Sequence, residues 1–173
     1  MDIKTALLQE HSKRQNQRIV DYVGNHPERF AELITLFWEN EYRVTQRAAW
    51  TVSDCCQQHP ELIMPYLPQF INNLRQADLH DAVKRNTLRV LQIIDIPEDL
   101  LGDAADVGFT LFGKKEEAIA IRVFAMTVLL QVVQKVPELK DELRYMIEEQ
   151  MPYETPAFVS RGMKTLKVLG KIN

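Results

Sequence analysis

Apolar residues recur along the whole chain at the three- and four-residue spacing of helices, in register with two markers. The first marker is a column of arginines, Arg14, Arg47, Arg85, Arg122 and Arg161, separated by 33, 38, 37 and 39 residues. Five residues past each stand Ile19, Val52, Val90, Thr127 and Leu166; eight past stand Tyr22, Cys55, Ile93, Leu130 and Leu169. The two columns lie three apart, so they share one helix face, and that face is predicted to be buried. The second marker is the dipeptide Pro-Glu at Pro27, Pro60, Pro97 and Pro137, with Phe37, Phe70, Val107 and Ile147 ten residues on. Proline suits the first turn of a helix, where its missing N–H has no partner to lose. The glutamate beside it faces the positive end of the helix dipole. Phe70, Cys55, Ile93 and Leu130 are therefore expected inside.

The markers keep phase, so each unit reads as a helix A opening at Pro-Glu, a short turn, and a helix B with its arginine near the start. The expected units are 25–58, 59–95, 96–136 and 137–173, with residues 2–24 forming one capping helix. A cap is needed because a helix pair cannot cover its own apolar face. No Ser/Gly-rich linker interrupts the chain, so 1–173 is expected to be one domain. Only helices, about nine or ten, are predicted, with no sheet.

The unit PELIMPYLPQFINNLRQADLHDAVKRNTLRVLQII from Pro60 resembles a HEAT repeat, with Asp78 in the turn and Val83-Lys84-Arg85 where that family has Val-Arg. Asn40 and Glu41 stand in for the turn aspartate in the first unit, and Lys114 and Lys115 replace it in the third with opposite charge. The resemblance implies a right-handed α-solenoid of about four helix pairs, an adaptor or scaffold role, and B helices lining a concave face.

Composition changes little in this picture. Gly (6) and Pro (8) are scarce, which disfavours a turn-rich β fold, and a net charge of −3 brings no bulk attraction to nucleic acid or anionic membrane. Cys55 and Cys56 are adjacent, too few for a disulfide framework or a zinc site, and read as reduced thiols of a cytoplasmic protein. The N-terminus MDIKTALLQEH carries Asp2, Lys4 and Glu10 and does not read as a signal peptide. The apolar run from Ala118 to Val133 is shorter than a bilayer requires and contains Arg122, so it reads as a buried helix.

No phosphate loop, nucleophile elbow or metal-ligand spacing is present, so no catalytic residue, cofactor or metal is expected. His26 and His59 each precede a repeat proline and read as turn residues; His80 suits a cap. Trp50 and Asp54 share a helix face, an aromatic-acid pair slightly similar to that of HEAT-like DNA glycosylases, but they read first as a packing tryptophan beside a solvated aspartate. Arg14 with Arg18, and Arg85 with Arg89, pair at four-residue spacing; with Arg47 and Arg122 they make a candidate stripe for binding a protein partner. The competing reading has each arginine pairing with a carboxylate between repeats. Arg161, Lys164, Lys167 and Lys171 read as a polar terminal face, and Trp38 with Tyr42 as a contact patch.

Overall fold

The computed structural model describes residues 1–39 and 41–172; Asn40, expected to stand in for a turn aspartate, and Asn173 lie outside the described residues. Among the described residues are ten α-helices, four 3₁₀ segments and no strand, as the periodicity predicts. The helices gather into two compact units, Met1–Ile94 and Asp95–Asn173.

In the first unit, α1 (Ile3–Gln9) and α2 (Lys13–Val23) occupy the stretch expected to form a single capping helix. Ser12 explains the break: its side chain accepts from the Gln15 N–H at 3.1 Å and starts a new helix, as Asp2 does for α1 through Thr5. The pair α3 (Pro27–Trp38) and α4 (Tyr42–Gln58) follows, with Pro27 and Glu28 in the opening turn of α3. Pro60 opens a 3₁₀ segment, Pro60–Tyr66, before α5 (Leu67–Asn73), and α6 (Asp81–Leu91) completes the unit. An α-helix from Pro60 is blocked by Pro65, which lacks the N–H the ladder requires and whose ring crowds the preceding turn. His80 caps α6 by accepting from the Ala82 N–H at 3.0 Å. Helix α4 is central and packs on α1, α2, α3 and α6. Phe30, Leu33, Phe37, Val52, Cys56 and Ile63 fill the core beneath it, with the Phe37 and Phe70 rings 5.2 Å apart.

In the second unit, 3₁₀ turns Glu98–Leu100 and Pro137–Leu139 precede α7 (Leu101–Gly113) and α9 (Lys140–Gln150), so Pro-Glu there stands ahead of the α-helix and does not open it. Helix α8 (Ile119–Lys135) packs on α7, α9 and α10 (Pro156–Leu169). At Gly108 a Cβ would fall 2.8 Å from Leu129 Cδ2, so the absence of a side chain lets α7 and α8 approach. The Phe112 and Phe158 rings stack at 5.8 Å. Among the described residues no helix is long and apolar enough to cross a membrane.

Two core expectations require correction. Phe70 and Cys55 are buried, but Ile93 is 45% exposed. Helix α6 ends at Leu91, so eight residues past Arg85 the helical phase no longer applies. Leu130 is only half-buried, because α8 is turned about its axis relative to the other B helices. In α2, α4 and α6 the positions one, two, five and six past the arginine are all buried: Gln15, Asn16, Ile19, Val20; Ala48, Ala49, Val52, Ser53; Asn86, Thr87, Val90, Leu91. In α8 the positions one, two and five past the arginine, Val123, Phe124 and Thr127, are half-buried, whereas Ile121, Arg122 itself, Ala125 and Met126 are buried. That register differs by roughly half a turn at 3.6 residues per turn, so α8 carries its arginine inward.

Candidate functional site

The shared register of α2, α4 and α6 decides where the arginines of the first unit point. With the next two residues turned inward, Arg14 and Arg85 are exposed, and so is Arg18 one turn beyond Arg14. These three make no hydrogen bond or ion pair among the described residues. Arg47 is half-buried; its Nη1 donates to the Leu7 carbonyl at 2.6 Å, satisfying an end carbonyl of α1 that has no helical partner.

Arg89 belongs to a network that crosses the three helices. The Thr51 hydroxyl donates to Asn16 Oδ1 at 2.7 Å, and Asn16 Nδ2 donates to Asp54 Oδ2 at 2.6 Å. Arg89 Nη1 stands 3.4 Å from Asp54 Oδ1. With the Gln57 amide oxygen turned toward it, Arg89 also donates Nε at 3.2 Å and Nη2 at 2.7 Å to Gln57. Asp54 thus ties α2 to α6 through α4, with both oxygens occupied. Sequence reasoning missed Asn16, Thr51 and Gln57. The available signal was polar residues at buried positions: Asn16 and Thr51 sit where an apolar side chain would serve packing alone.

The aromatic-acid pair does not form a pocket. Trp50 stands edge-on to His11 with ring centroids 5.5 Å apart, beside a crevice of about 10 Å³, too small for a base. The sulfhydryls offer no nucleophile either. Burial, reinforced by the Asp54 charge, pushes the Cys55 thiol up to about 12; burial raises Cys56 still further. Among the described residues no three His, Cys, Asp or Glu side chains gather to hold a metal. His26 and His59 are turn residues of one design: each Nδ1 stands 3.5 Å from the glutamate two positions on, Glu28 or Glu61.

Arg122 is placed differently from the rest. It is 3% exposed; its Nη2 lies 2.5 Å from Glu154 Oε1 and donates to Gln150 Oε1, and the guanidinium lies 5.2 Å from the Phe158 ring centre. It fastens α8 to the segment after α9 and does not face solvent. The other polar candidates sit at the surface: Lys164, Lys167 and Lys171 are exposed, Tyr42 is 62% exposed, and Trp38 is half-buried.

A family model described as a HEAT repeat domain matches residues 3–169. No curated protein and no solved structure matches the chain.

Proposed function

The chain belongs to the HEAT-repeat family, and on that premise we propose that it is a non-catalytic module that binds a protein partner through the B-helix face of its first unit. The contact residues are Arg14, Arg18 and Arg85, with Arg47 and Arg89 held in place beside them by the Leu7 carbonyl and by Asp54, and the complementary feature is an acidic segment of the partner. Arg122, inside the second unit, is left out of this set. One observation carries the reading: α2 and the B helices α4 and α6 share a burial register, and Arg14, Arg18 and Arg85 are exposed and without an ion pair among the described residues. Structural arginines in this protein look otherwise, as Arg122 and Arg47 do. The planar fork of each free guanidinium suits bidentate pairing with carboxylates. Two free, buried thiols accord with a cytoplasmic setting.

The test is fluorescence anisotropy with a labelled decapeptide of alternating glutamate and glycine, beside a labelled DNA duplex, at low and physiological salt. The variant Arg14→Met/Arg85→Met should keep its stability within about 0.5 kcal/mol, because both side chains are exposed, and should lose about tenfold in peptide affinity. Peptide binding equal in parent and variant would overturn the proposal. Tighter binding to duplex, with a steep salt dependence, would instead assign the face to nucleic acid.

A further inference from the structure

Residues 69–76 read Gln-Phe-Ile-Asn-Asn-Leu-Arg-Gln. Gln69, Asn72, Asn73 and Gln76 stand at the i, i+3, i+4, i+7 spacing that ordinarily marks an apolar stripe, while Phe70, Ile71 and Leu74 between them are buried. Helix α5 and the turn after it therefore present a stripe of four carboxamides. All four line a cavity of about 360 Å³, within the range of ligand sites. Its other wall holds the Phe37 and Trp38 rings, 4.5 Å apart and edge to face, and Thr45. The Thr45 hydroxyl is buried without a hydrogen-bond partner, an arrangement that costs stability until something supplies one. Gln76 Nε2 donates to Asn73 Oδ1 at 2.6 Å, which leaves the Gln76 oxygen and the Asn73 amide hydrogens for other partners.

We propose that this cavity is a second recognition site, which takes a short, extended, uncharged peptide segment of a protein partner with an apolar side chain against Phe37 and Trp38. No charged side chain lines it among the described residues, so a carboxylate or ammonium entering would give up hydration without finding an opposite charge. A carboxamide carries one acceptor and a donor group side by side, the complement of a peptide unit. The helical rise from Gln69 to Asn73, where α5 ends, is about 6 Å, the length of about two extended residues, and Gln76 in the turn beyond extends the row. The site is lined from the α3–α4 corner, from α5 with the turn after it and from Val83 of α6, and Arg14, Arg18 and Arg85 are not among its lining residues. It rests on the reading of the chain as a protein-binding module but not on the arginine face.

The experiment is a ¹⁵N NMR titration of the whole chain with N-acetyl-Gly-Leu-Gly-amide, N-acetyl-Glu-Leu-Glu-amide and maltose. The neutral peptide should shift the side-chain amide signals of Asn72, Asn73 and Gln76 and the Trp38 indole N–H, saturating in the millimolar range expected of a fragment. The acidic peptide should bind about tenfold more weakly there. Asn72→Ala/Gln76→Ala, both exposed positions, should abolish the shifts without lowering Tm, whereas Arg14→Met/Arg85→Met should leave them unchanged. No saturable shift up to about 20 mM, equal binding of the acidic peptide, or a stronger response to maltose would overturn the proposal. Loss through the arginine variant would mean that there is one site and not two.

Discussion

Replacing Arg122 with Met separates an arginine that fastens the fold from one that recognises a partner. The side chain is 4% exposed, and Glu154, its ion-pair partner at 2.5 Å, is 14% exposed. Removing one member of a buried pair costs about 3–5 kcal/mol, chiefly because the remaining charge stays buried and alone. Glu154 keeps some access to water, so the lower figure applies, about 3 kcal/mol. Methionine is unbranched and retains a favourable contact with the Phe158 ring, so little of the loss comes from packing. For a chain of this length each kcal/mol moves Tm by about 2–4 °C, which gives a fall of about 6–12 °C. Urea unfolding followed by circular dichroism measures the free energy directly, and Glu154→Gln completes a double-mutant cycle. The double variant should recover at least about 1 kcal/mol relative to Arg122→Met, since the stranded carboxylate is gone. A single-variant loss below about 0.5 kcal/mol, or strict additivity in the cycle, would refute the reasoning.

Three other outcomes follow from burial. Phe70→Ala should cost about 3–5 kcal/mol in urea unfolding, whereas Ile93→Ala should stay within about 0.5 kcal/mol; equal losses would contradict the assigned end of α6. Gly108→Ala should destabilise by about 1–3 kcal/mol, against the usual gain from alanine in a helix, because its methyl meets Leu129; Gly102→Ala, with open space at its Cβ, should not. A gain at both positions would be inconsistent with the close approach of α7 and α8. Cys55 and Cys56 should resist iodoacetamide at pH 8 and react on unfolding. A thiol raised from 9.0 to about 12 keeps its proton when folded but loses it when unfolded, so stability should fall as pH rises from 9.0 toward 12. The slope reaches at most about 1.4 kcal/mol per pH unit for each thiol, and a flat profile over that window would count against their burial.

The helices were legible because most of their stability comes from covering one apolar face, and that face writes a period into the chain. Ile19, Val52 and Val90 were placed inside on this basis and are buried. Where the reading slipped, a local rule overrode the period. Ser12 split the first stretch, Pro65 held the Pro60 segment in 3₁₀ form, and the end of α6 released Ile93. The inward turn of α8 could not be read from Arg122, because an arginine's letter is the same with and without a buried carboxylate beside it. Glu154, its partner, stands 32 residues away in sequence. The carboxamide stripe escaped for a different reason: a search for apolar periodicity passes over polar side chains at the same spacing.

The inward arginine of α8 bears on how this chain could be engineered. Averaging the B helices into a consensus would align Arg47, Arg85 and Arg122 in one column and treat them as interchangeable. Grafting the α4 sequence onto α8 in that alignment would keep an arginine before Glu154 but set Ala48 and Ala49, buried in α4, at the half-buried positions of Val123 and Phe124. Grafting α8 onto α4 would press Val123 and Phe124 into the buried positions of Ala48 and Ala49. A modular library of these repeats must therefore be indexed by what each helix buries, with Arg122 and Glu154 moved only as a pair.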